Sequence, residues 1–137
     1  MFFKKKINKT DNDNLVKIAA LLIHAAKIDE NYSDNEEEII KKTLLKIGVK
    51  DEYLEKLLND AKIMEKNSIQ ILDFTKEVKN MNNENKIEII ETLWRIIYSD
   101  KNADLYETSL MRKLAGLLYI DSKTMGNIKD KIKKENS

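Results

Sequence analysis

The sequence has no proline, no cysteine and only three glycines in 137 residues. At average usage about seven prolines would be expected in a chain of this length. Turn-rich and all-β folds depend on Pro and Gly for their corners, so their scarcity argues against such folds and for long helices. Without cysteine there is no disulfide framework, thiolate metal centre, iron–sulfur cluster or Cys nucleophile. The same absence fits a reducing compartment, and a cytoplasmic location is expected. A single histidine, His24, excludes a His-rich zinc site and disfavours Ser–His catalysis. Any bound metal must therefore take mostly oxygen ligands, which selects a hard cation.

Long apolar runs are also missing. Ile18–Ala26 is the longest, is interrupted by His24, and falls short of the roughly 20 residues that span a bilayer. Met1-Phe2-Phe3-Lys4-Lys5-Lys6 lacks the apolar core of a signal peptide. At most it makes weak peripheral contact with an anionic membrane surface. There is no excess charge of one sign either, with 25 Lys and Arg against 24 Asp and Glu. Nucleic-acid binders normally carry a clear basic surplus, so no nucleic-acid partner is expected.

What is present is helical periodicity. A flexible segment is expected at residues 1–9, one all-helical domain at 10–134 and a short tail at 135–137. Apolar spacing and capping residues predict about seven helices. They fall near 11–28, 33–47, 51–65, 68–80, 83–99 and 104–119, with a last helix after Asp121 that fades near Lys134. Asp51 and Ser68 are the expected caps of the third and fourth helices, and Gly48 the expected left-handed C-cap of the second. The first helix is apolar on nearly every side, and so is the fifth, through Ile87, Ile89, Ile90, Leu93, Trp94, Ile96 and Ile97. Helices apolar all round are buried ones. Within them, His24 is expected as a satisfied, partly buried side chain, and Trp94 and Tyr98 as core and core-edge residues.

A shift of 71 lays residues 10–51 on 81–122 without a gap. Asn12 falls on Asn83, Ile18 on Ile89, Leu22 on Leu93, Asp29 on Asp100, Glu36 on Glu107 and Ile47-Gly48-Val49 on Leu118-Tyr119-Ile120. The chain thus reads as two copies of one unit: an apolar helix, an acidic loop and an amphipathic helix. The two apolar helices should pack together at the centre.

The two acidic loops are where chemistry could reside. Six of the ten residues from Asp29 to Glu38 are acidic and none is basic. The second loop runs Asp100-Lys101-Asn102-Ala103-Asp104-Leu105-Tyr106-Glu107. Each sets an Asp at the end of one helix and a Glu seven residues later, in the first turn of the next. Asp29, Asp34 and Glu36, with Asp100, Asp104 and Glu107, could form an oxygen cage for a divalent cation. A true EF-hand is excluded, because Asp34 or Leu105 stands where its Gly belongs and Ile40 or Met111 where its bidentate Glu belongs. Helix capping competes with metal binding. Ser33-x-x-Glu36 and Asp104-x-x-Glu107 are capping patterns, and first-turn acids suit the helix dipole. Capping does not account for Asp29 and Asp100, which end helices where a negative charge is unfavourable. Both readings stay open on the residues alone.

Leu21-Leu22-Ile23-His24-Ala25-Ala26-Lys27-Ile28-Asp29 followed by Asp34-Asn35-Glu36-Glu37-Glu38-Ile39-Ile40 resembles the first signature of the TerB-like tellurite-resistance family. Leu93-Trp94-Arg95-Ile96-Ile97-Tyr98-Ser99-Asp100, then Glu107 and Leu114-Ala115-Gly116-Leu117-Leu118, resembles its second. The resemblance spans roughly residues 10–122 and is closest to the small stand-alone members. It implies an all-helical domain of about seven helices and an acidic metal site at Asp29, Glu36, Asp100 and Glu107. Where the family often has Gly after each Asp, Glu30 and Lys101 stand here. The function expected is a non-enzymatic, metal-binding module for Ca²⁺ or Mg²⁺ with a stress-response or adaptor role. The alternative is a helical protein-interaction domain whose acidic loops only cap helices and meet a basic partner.

Overall fold

A helix that is apolar on every side has to be covered on every side. In the computed structural model, which describes residues 9–27, 34–67, 72–98 and 105–135 (backbone only at 9–13, 72–73 and 105–108), α1 (Lys9–Ala26) takes that place. Val16, Ile18 to Ile23, Ala25 and Ala26 are each less than 5% exposed. Around it lie α2 (Asp34–Lys46), α3 (Asp51–Asn67), α4 (Leu72–Lys79) and α5 (Asn83–Tyr98). Alanines at 19, 20, 25 and 26 leave room for close approach, since interaxial distance follows side-chain size at the contact. The second apolar helix, α5, touches α1 as expected and is covered in turn by α2, α4 and α7 (Ser122–Glu135). α6 (Leu105–Leu117) packs on α4. The described residues thus form seven helices and no strand, the all-α fold expected. No helix among them is long and apolar enough to cross a membrane.

The shift of 71 reappears in the geometry. It carries Asp34–Lys46 onto Leu105–Leu117 and the first residue of α3 onto the first of α7. Buried Leu54, Leu57 and Ala61 of α3 fall on buried Met125, Ile128 and Ile132 of α7. The correspondence therefore continues past residue 122 into a third helix, which the sequence comparison did not reach. Fully burying such side chains stabilises the fold by about 1.5–3 kcal/mol each for the larger ones.

The corners after α2 and α6 match as well. Gly48 has φ +116°, and Val49 N–H donates to Leu44 C=O (3.0 Å) while Gly48 N–H donates to Leu45 C=O (3.2 Å). Tyr119 has φ +58°, with Ile120 N–H on Ala115 C=O (2.9 Å) and Tyr119 N–H on Gly116 C=O (3.4 Å). Both are Schellman ends, in which a left-handed residue lets two amides satisfy the last helical carbonyls. One copy uses glycine; the other forces a tyrosine into the same backbone region.

Other helix ends follow simple capping. Asn82 Oδ1 accepts from Asn85 N–H (2.8 Å) at α5, and Asp121 Oδ1 from Thr124 N–H (2.7 Å) at α7. That backbone hydrogen bond leads the causes holding the Asp121 carboxyl below its usual range. Asp51 is not a cap outside α3 but its first residue, with Tyr53 N–H on Lys50 C=O (2.9 Å). Its charge acts there on the helix dipole instead. α4 begins at Leu72, and the expected cap Ser68 lies outside the described residues; Phe74, Thr75 and Val78 form the buried face of α4.

Gly48→Ala is expected to lower stability by about 1–2 kcal/mol through backbone strain alone, because nothing lies within 4 Å of the added Cβ. Urea unfolding should show a lower midpoint with an unchanged slope.

Candidate functional site

α2 opens on Asp34-Asn35-Glu36-Glu37-Glu38, and its four carboxylates meet different surroundings. Asp34 is exposed. Glu37 pairs with Lys62 of α3 (3.0 Å) and with Lys41 (3.6 Å). Glu38, its side chain 75% exposed, lies 4.0 Å from Lys41. Lys41 reaches across to Glu55 (2.9 Å), and that hydrogen bond is the main cause raising its ammonium pKa. Glu37 and Glu38 therefore serve the α2–α3 seam. Glu36 does not face that way. At 6% exposure it shares the buried face of α2 with Ile40, Thr43 and Leu44. A carboxylate is costly to bury without partners, and the N-terminal turn is the part of a helix that favours a negative charge.

The remaining expected ligands cannot be placed around Glu36. Asp29, Asp100 and Asp104 lie outside the described residues, as do Ser33, Glu30 and Lys101. Glu107 falls in α6, with its side chain outside the described set. Among the described residues no group of three or more His, Asp and Glu side chains is arranged to hold a metal.

Each apolar helix is pinned to the third helix of its own half next to these loops. In the first half, His24 Nδ1 lies 3.2 Å from Glu65 Oε2, and Lys27 Nζ donates to Glu65 Oε1 (2.9 Å). Burial pushes the Glu65 carboxyl up, but the hydrogen bonds and charges of Lys27 and His24 outweigh it and hold it below its usual range. In the second half, Arg95 stands at the position equivalent to His24. It donates to both oxygens of Glu135, Nε to Oε1 (3.1 Å) and Nη2 to Oε2 (3.3 Å). Glu91, 3.6 Å from Arg95, also accepts from Lys131 Nζ (2.7 Å).

Sequence reasoning placed His24 as a satisfied, partly buried side chain but did not find Glu65, 41 residues away. The available signal was the pairing of His24 with Arg95 in the repeat, two cationic positions each needing an acid. Trp94, expected in the core, donates Nε1–H to Met125 Sδ (3.2 Å) and stacks on Tyr98 at 5.8 Å between centroids. Burial, then the charge of Asp130, raises the Tyr98 phenol.

A family model described as Tellurite resistance protein TerB matches residues 15–130. No curated protein and no solved structure shows a significant match.

Glu65→Gln is expected to cost about 1.5–3 kcal/mol at neutral pH, the scale of a hydrogen bond to a charged group. The folded-state pKa of Glu65 is depressed, so its stabilisation is present above the ordinary carboxylate range and lost as pH falls through it. Melting temperatures of the two proteins should differ at pH 7 and converge below about pH 4. A constant gap across that range would show that the ion pair contributes nothing.

Proposed function

The chain belongs to the TerB family, and from that premise we propose that it is a non-enzymatic cytoplasmic module that holds a divalent cation, Ca²⁺ or Mg²⁺, in its acidic inter-helix loops. Asp29, Asp34 and Glu36 serve in the first loop, and Asp100, Asp104 and Glu107 in the second. The role is in a stress response or as an adaptor. The observation that carries this reading is Glu36: of the acids opening α2 it is the one on the buried face, at 6% exposure. The donor chemistry fits, since a chain without cysteine and with one histidine offers oxygen, which suits hard cations. A bound cation would tie the end of one helix to the start of the next and supply charge for an acidic partner group.

A second reading, the interaction domain that meets a basic partner, draws on the exposure of Asp34 and of Glu38, whose side chain is 75% exposed. Such binding should survive chelation and weaken with salt.

Calorimetric titration of chelator-stripped protein is expected to give heat with Ca²⁺ or Mg²⁺. A cation at about 100 times its Kd should add about 2.7 kcal/mol of stability, seen as a raised Tm. Asp29→Asn combined with Asp100→Asn should remove both signals. No heat and no stabilisation at millimolar Ca²⁺, Mg²⁺, Mn²⁺ or Zn²⁺ overturns metal binding; full binding by the double variant overturns the site.

A further inference from the structure

The corners that lead into α3 and α7 have the same shape but unequal backbone freedom. Gly48 takes its positive φ without a side-chain clash. At Tyr119, φ +58°, a bulky residue occupies a region that L-residues avoid. Its ring is 74% exposed, so the core does not hold it there. The Lys79 ammonium, 4.2 Å from the ring centroid, offsets part of the strain. Strain of this kind gathers at segments that switch between two conformations.

The relaxed alternative at this corner is continuous helix. Leu117-Leu118-Tyr119-Ile120-Asp121-Ser122 contains neither Pro nor Gly, so no residue in it bars α6 from running on into α7. The amides are close to that pattern already. Ile120 N–H donates to Ala115 C=O and Tyr119 N–H to Gly116 C=O. In a helix the two amides exchange acceptors, and Thr124 N–H moves from Asp121 Oδ1 to Ile120 C=O. Straightening the corner lifts α7 off the α5 of its own chain.

α7 is suited to that departure. Its counterpart α3 packs on both α1 and α2, whereas α7 packs chiefly on α5. Its ties run there: Met125 Sδ accepts from Trp94, the Lys129 ammonium stands 5.5 Å from the same ring, Lys131 meets Glu91, and Glu135 takes the fork of Arg95. A second copy of the chain offers the same set without any new contact. Met125, Ile128 and Ile132 are buried, and such side chains are costly to leave in water. A released α7 therefore needs the same face on another α5.

We propose that two copies of this chain exchange α7, each α7 covering the α5 of the other copy, with Leu117–Ser122 straightened as the hinge. Exchange of an identical element is a low-cost route to a dimer. The contacts of α7 are the same in both forms, and two relieved hinges work against the entropy of association. None of the side chains proposed as metal ligands takes part, so the exchange stands or falls independently of cation binding.

The full chain is unfolded in urea, refolded at millimolar concentration and resolved by size-exclusion chromatography with light scattering. A dimer is expected, its share rising with the refolding concentration. Tyr119→Gly accepts the corner without strain and disfavours the helix. It should lower the dimerisation constant by about a hundredfold, roughly tenfold for each of the two hinges. Tyr119→Ala keeps the strain and favours the helix, so it should dimerise at least as strongly as the parent. An ordinary interface through the exposed ring would lose affinity in both variants. Because the chain has no cysteine of its own, Glu91→Cys combined with Lys131→Cys puts one thiol on each side of the α5–α7 contact. After linking with a short bis-maleimide, the isolated dimer should run on a denaturing gel as a covalent pair, and the isolated monomer as a single chain. Monomer at every concentration, equal dimerisation of Tyr119→Gly and the parent, an equal loss in Tyr119→Ala, or single chains from the linked dimer would each overturn the proposal.

Discussion

The need to cover α1 from all directions organises the whole chain. Its nine buried apolar side chains leave water only the edge that carries Lys17, His24 and Lys27, so four other helices have to meet it. The alanines at 19, 20, 25 and 26 let those helices approach closely. The equivalent positions on α5 are larger at three of the four, Ile90, Ile96 and Ile97, and the fourth is Glu91, which faces Lys131. The second copy of the unit thus differs from the first: α5 fills space with larger side chains and turns a charged edge to α7.

The halves also differ in how they hold their third helices. At one position the first half uses a histidine and the second an arginine, and each finds a carboxylate on the following helix pair. Arginine stays charged at all ordinary pH and grips with two parallel bonds. In the first half Lys27 shares Glu65 with His24, so that acid meets two side chains of α1 and its flank. The corners diverge in the same manner. Gly48 adopts its positive φ freely, whereas Tyr119 pays backbone strain and gains a contact with Lys79, whose Nζ stands 4.2 Å above the ring. A cation over an exposed tyrosine returns about 0.5–1 kcal/mol, which offsets part of that strain.

Much of the fold was legible because helical spacing is a local signal. Ile40, Thr43 and Leu44, or Leu54, Leu57 and Ala61, announce one face without any knowledge of the partner. The repeat was legible for the same reason, and it extended to α7 once Met125, Ile128 and Ile132 could be set against α3. Long-range pairings were not legible. Glu65 and Glu135 are each one of many acids in the sequence, and only packing picks them out for His24 and Arg95.

The candidate metal site divides along the same line. Its acidity is a property of the sequence, but which acid turns inward depends on helical phase. Glu36 lies four residues before Ile40 and eight before Leu44, on the stripe that packs against the core. That spacing was available from the start, and it separates Glu36 from Glu37 and Glu38 better than any capping rule. Capping alone asks only that a first-turn acid sit near the free amides, which an exposed side chain can do at no desolvation cost. Placing that acid on the buried stripe adds the cost of burying a charge. An apolar residue at position 36 would extend the stripe and avoid it. Burial on the core-facing stripe therefore sets Glu36 apart from Asp34, Glu37 and Glu38, and the proposed cation site starts from that position rather than from the number of acids around it.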